Sequence, residues 1–301
     1  MTTLTHAAEA TAGQIRQITR IGSDAIEKVL DELGLDKEGA QRVHANGDEF
    51  AAAIRKAARA SLMDLSISDR FKNEEIESIY VYPSGYKIKS ITEQANILRQ
   101  LFPGIGFADE TVAEGKLPRN AEGWFAIPNW ETIAPTYKEA VEKVLAKLAE
   151  TRTLHNHREG VLGPEYLRQS DRTVQMNRTV RMMKKLGDRQ KDHDVLVVAA
   201  QFGLRHRGRS VRRAREVFTA SEFGLGAFAV GIMTLTHPER FVRWEQLHTD
   251  CPGDEYSPDA SDTFDFAPIL VFSDGKLQFA TRWFDCPRDH CGSTSGFLPQ
   301  E

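Results

Sequence analysis

All three cysteines fall in the last fifth of the chain, and each has a histidine close by. His248-x2-Cys251 and Cys286-x3-His290-Cys291 offer five donors in two clusters. Zinc favours thiolate and imidazole, and it takes four such groups at tetrahedral reach. Neighbouring side chains diverge on an extended chain, so the spacing predicts a zinc site made of His248, Cys251, Cys286 and one of His290 or Cys291. Carboxylates accompany both clusters. Asp250, Asp254 and Glu255 on one side, with Asp285 and Asp289 on the other, suit a divalent cation or acid–base work. His155-x-His157 would reach one ion if it followed a strand, but here a helical pattern precedes it. No nucleophile elbow is present around Ser221 or Ser293, and Pro83-Ser84-Gly85-Tyr86 lacks the glycine spacing of a phosphate loop.

The second constellation is electrostatic. Arg205, Arg207, Arg209, Arg212, Arg213 and Arg215 lie within eleven positions with no acid among them. Upstream, Arg178, Arg181 and Lys185 recur three and four apart, hence on one helix face. Residues 168 to 215 hold fourteen Lys or Arg against four acids, whereas the rest of the chain holds 25 against 39. The net charge of −4 therefore conceals a basic strip on an acidic body. Arginines this close repel one another unless solvent, carboxylates or a polyanion takes up the charge. One expectation is an intracellular nucleic-acid- or polyanion-binding accessory protein whose surface comprises Arg178, Arg181, Lys185, Arg205, Arg207, Arg209, Arg212 and Arg213. An acidic protein would be the other partner of such a surface, and intramolecular pairing would produce the same pattern. The alternative expectation is a metal-assisted hydrolase or transferase, with the Asp250 stretch and the His290 region forming the site and the arginines holding an anionic substrate.

The elements that must position these residues read as an α+β fold: predominantly helical, with a small α/β unit and a C-terminal antiparallel hairpin. Three segments follow from the periodicity: helices over 1–66, the α/β unit over 67–152, and a basic helix–strand unit over 153–301. In the first, Ser23 and Asp36 are candidate N-caps and Gly34 a stop signal. In the second, Ile76–Tyr82 and Trp124–Ile127 have strand composition. Ser90/Glu93 and Thr136/Glu139 have capping-box spacing before helical stripes. In the third, Ser170 is a candidate cap for a helix carrying Val174, Met176 and the Arg178 face, and Val195–Ala200 is a short β-branched run that predicts a buried strand. A helix is expected from His237 through Leu247, then a long loop over 250–265. Two alternating strands joined by Asp274-Gly275 complete the pattern.

The chain has 301 residues, 41% hydrophobic and 27% charged, the balance of a globular protein. Its longest apolar run, Phe223–Leu235, is shorter than the ~20 residues needed to span a bilayer. The opening residues carry no signal-peptide pattern. Three cysteines do not make a disulfide framework, so the expected setting is cytoplasmic, away from membranes.

Overall fold

A computed structural model describes residues 11–65, 69–169, 178–261 and 263–299. The chain divides into two compact units, residues 1–65 and 66–301. Among the described residues, no helix is long and apolar enough to cross a membrane. Ser170, Val174 and Met176, expected to begin a helix, lie outside the described residues.

The first unit is helical. α1 (Ala12–Leu33) is capped by Thr11 in a full capping box with Gln14 and ends at Gly34 in the left-handed conformation, φ 57°. Ser23 is therefore not a cap: it lies inside α1, and its hydroxyl donates to the carbonyl of Thr19. α2 (Lys37–Ala45) is capped by Asp36, which accepts from the N–H of Gly39, and α3 (Gly47–Leu65) follows.

The second unit is mixed α+β. Its helices are α4 (Ile91–Leu101), α5 (Trp130–Ile133), α6 (Tyr137–Thr151), α7 (Arg178–Arg189), α8 (Val211–Glu216) and α9 (Ala227–Thr236). One sheet has four antiparallel strands: β1 (Gly123–Pro128), β4 (Val195–Gln201), β11 (Ser295–Phe297) and β5 (Glu222–Gly224), in that spatial order. The other is mixed and holds β2 (Leu154–Asn156), β3 (Leu167–Gln169), β6 (His248–Asp250), β7 (Asp254–Tyr256), β8 (Phe266–Ser273), β9 (Lys276–Trp283) and β10 (Cys291–Ser293).

All seven residues of β4 are buried, as an unbroken apolar strand between two neighbours requires. α9 is buried along its whole length. It packs on α6 so closely that a Cβ at Gly231 would stand 2.5 Å from Val144 Cγ1. β8 and β9 form the expected hairpin, with Asp274 (φ 53°) and Gly275 (φ 73°) both left-handed as the two-residue turn demands. The last strands bridge the two sheets. β10 belongs to the second and β11 to the first, with only Thr294 between them.

Three further expectations fail. Ile76–Tyr82 is no strand: Glu75 bridges Arg209 and the N–H of Ile76 reaches Gly208, but no ladder continues, and Ile79 is 83% exposed. The helix expected over 237–247 is a single 3-10 turn, Pro238–Arg240. The stretch 250–265 is not all loop, because β6 and β7 bring Asp250, Asp254 and Glu255 inside. Burial is tolerated because each has a partner. Asp250 pairs with Arg282, and Glu255 pairs with Arg168. Asp254 accepts from Tyr137 and from the N–H of Ala227 at the start of α9.

His237 closes α9 and shows how burial constrains protonation. Its Nε2 accepts the backbone N–H of Lys89 at 3.0 Å, which requires the neutral ring. Burial, reinforced by the Lys89 ammonium, holds its pKa at about 4. The unfolded chain, with an ordinary histidine near 6.5, then binds the proton more readily than the folded one. Stability from this group is complete above about pH 6.5 and is lost as pH falls toward 4. Urea unfolding at pH 7.5 and pH 5 should show His237→Gln losing about 2 kcal/mol less than the wild type on acidification. Equal losses would rule out His237 as the source.

Candidate metal centre

β6 and β10 run parallel, with Cys291 beside His248 and Ser293 beside Asp250. The N–H of His248 donates to the carbonyl of His290 at 2.8 Å, which brings the residue before β10 into the same cluster. The donor atoms of His248, His290 and Cys291 all lie within 4.8 Å of one another. Tetrahedral zinc would set them roughly 3.3–3.8 Å apart, a closure of about an ångström that side-chain rotation supplies.

The two nitrogens of His248 carry the most information. The residue is 1% exposed, and neither ring nitrogen meets a partner in strict hydrogen-bonding geometry, although the Trp244 carbonyl lies near enough to interact weakly with the ring. A buried imidazole ordinarily satisfies both. Burial, then the neighbouring His290 and Arg282, push its pKa to about 3, so the ring is neutral and its lone pair is available at physiological pH. His290 is oriented from outside: its Nδ1 pairs with Asp289 Oδ1 at 2.9 Å, leaving Nε2 for an ion. A carboxylate behind a histidine is the usual support for a metal-bound imidazole. Cys291 is 1% exposed, and burial raises its thiol to about pKa 12 despite the guanidinium of Arg282, which donates to Sγ at 2.6 Å. Binding a cation would displace that proton, and the Arg282 N–H would then serve the thiolate. Arg282 is itself held by Asp250 at 3.1 Å.

Two of the five sequence-predicted ligands stand elsewhere. His248 and Cys251 are three residues apart, and along an extended chain an odd spacing places side chains on opposite faces. Cys251 is buried and Cys286 is exposed, and neither belongs to the group. His290 and Cys291, expected to diverge, both contribute. The chain turns there, the N–H of Cys291 donating to the carbonyl of Arg288, so strict alternation does not apply. Of the accompanying acids, Asp250 and Asp289 support the cluster, whereas Asp254 lies against Tyr137 and α9, and Glu255 against Arg168.

The arginines are mostly spoken for. Arg205 pairs with Glu222 at 3.0 Å and Arg209 with Glu75 at 3.4 Å. Arg212 pairs with Glu74 and lies over the Phe71 ring. Arg213 is 5% exposed among Asp69, Glu75 and Glu216. Arg215 is buried on the carbonyls of Pro252 and Asp254. Arg178 is buried and donates to the carbonyl of Thr219. Arg181 and Lys185 are exposed on α7. Among the described residues, Arg207 is the one member of the block without a carboxylate partner. It is exposed, its Nη1 donates to the carbonyl of Tyr80, and its backbone bridges Gly292 on β10. The two segments meet there with no room for a side chain, because a Cβ on Gly292 would stand 2.1 Å from the carbonyl oxygen of Gly203.

Comparison with protein families, curated proteins and solved structures finds no match for the chain.

Proposed function

We propose that the chain is a metal-dependent protein in which His248, His290 and Cys291 hold one zinc-class divalent ion and leave one coordination position open. The observation that carries this reading is the convergence of His248, a buried imidazole whose nitrogens meet no partner in strict hydrogen-bonding geometry, with a second histidine and a thiol. Two imidazoles and one thiolate select zinc over magnesium or calcium, which take oxygen ligands. Three protein ligands with a free fourth position are the arrangement of catalytic zinc, whereas structural sites are closed by four. Among the described residues the group has no fourth His, Cys, Asp or Glu donor. The reaction class that fits is therefore metal-assisted hydrolysis or group transfer.

Equilibrium dialysis of the untagged chain should recover about one zinc per molecule. His248→Ala and Cys291→Ser should abolish retention, while Cys251→Ser and Cys286→Ser should keep it. Retention by the His248→Ala chain would overturn the assignment.

A second reading, a polyanion-binding face, is favoured by Arg181, Lys184 and Lys185 on α7, which are exposed and lack carboxylate partners among the described residues. Three phosphate contacts would give a salt slope of about −3 on duplex DNA.

A further inference from the structure

The paired and unpaired arginines divide by position. Five of the six between 205 and 215 have an acid within ion-pair range, and the sixth, Arg207, crosses the strand that carries Cys291. Two further exposed arginines, without carboxylate partners among the described residues, flank the same centre. Arg288 lies in the turn that presents His290 and Cys291, its carbonyl accepting from the N–H of Cys291. Arg243 precedes Trp244, whose ring lies 4.8 Å from that of His248 and 5.5 Å from that of His290. Arg243 and Trp244 also line a surface hollow of about 620 Å³ with Tyr82 and Ser84. The Tyr80 carbonyl that anchors Arg207 belongs to a residue whose ring meets His290 at 5.9 Å.

Resting on the metal reading, we propose that the open coordination position takes a phosphate group, held by Arg207 and Arg288 with Arg243 at the rim. A divalent ion with one thiolate leaves a single positive charge, and three guanidiniums raise the local charge to four. The acids nearby offset only part of it: Asp250 is neutralised by Arg282, whereas Asp289 keeps its charge beside a neutral, ion-bound His290 and the exposed Glu77 and Glu245 lie in the adjoining segments, so the balance stays positive. Such a field favours a dianion over a monoanionic carboxylate, and guanidinium forks match phosphate oxygens in pairs. The proposal concerns binding of the group and names no bond broken.

The test uses the full chain loaded with cobalt(II), whose thiolate charge-transfer band reports Cys291 ligation and whose d–d bands report the open position. Inorganic phosphate should shift the d–d bands at concentrations at which acetate does not. Arg207→Ala and Arg288→Ala should each weaken phosphate binding by roughly tenfold or more, while Arg99→Ala, on α4 against Phe107, should leave it unchanged. A charge-transfer band with d–d bands insensitive to phosphate would overturn the phosphate proposal and leave the metal centre standing. So would equal weakening by all three variants. Absence of the charge-transfer band would overturn both.

Discussion

Replacing Glu222 with glutamine should cost about 3–5 kcal/mol of folding stability, the loss associated with breaking one side of a buried ion pair. The carboxylate is fully buried on β5 and accepts from Arg205 at 3.0 Å, His206 at 2.7 Å, Ser295 on β11 at 2.7 Å, and the N–H of Thr219 at 3.3 Å. Burial alone would raise its pKa, but His206, Arg205 and Ser295 together bring it to about 2. His206 is itself kept neutral by burial, donating from Nε2 to Glu222 and accepting from Arg209 at Nδ1. An amide cannot satisfy these donors: its NH2 would face N–H and O–H groups, and Arg205 would keep its charge without a counter-ion. Urea unfolding at pH 7 should show the loss, whereas Glu245→Gln on the surface should stay within about 0.5 kcal/mol of wild type. Because the folded pKa is depressed, the contribution is complete above about pH 4.5 and disappears as pH falls through 2. A loss below about 1 kcal/mol in Glu222→Gln would show that the network is not the clamp joining the arginine block to the four-stranded sheet.

The second large effect concerns the ion. β10 is tied to β6 in one sheet and runs within one residue into β11 of the other, so an ion on His248, His290 and Cys291 fastens both sheets at their junction. Folding and binding are then linked. At free zinc a thousandfold above the dissociation constant, the folded state should gain about 4 kcal/mol. Thermal unfolding in zinc and in chelator should separate accordingly for the wild type, and residues 240–299 should become protease-resistant with zinc. Cys291→Ser should show neither change. If it gains as much as wild type, the ion is bound elsewhere.

The outline of these sites was legible in the sequence to differing degrees. Period and punctuation were sufficient for β4, for the Asp274-Gly275 hairpin and for the capping box at Ser90 and Glu93, because each is decided locally. The ligand types were visible too, but the set was not. The set of His248, Cys251, Cys286 and only one of His290 or Cys291 follows from a loop at 250 and an extended chain at 290. The structure has a strand where the loop was expected and a turn where the extension was. The arginine block is ambiguous in the sequence for a different reason. Its acids at Asp69, Glu74 and Glu75 lie more than a hundred residues upstream, so local charge density could not distinguish a polyanion surface from an internal pairing layer. The signal that survives is the exception, Arg207, and it gains meaning only from the strand it crosses.

The central claim is the composition of the metal's first shell. X-ray absorption at the zinc edge of the loaded, untagged chain measures it without reference to activity. The structure predicts one sulfur at about 2.3 Å and two imidazole nitrogens at about 2.0–2.1 Å, with one further light donor. Cys291→Ser should remove the sulfur shell. Two or more sulfurs, or a shell of oxygen alone, would place the ion on other residues and contradict the account.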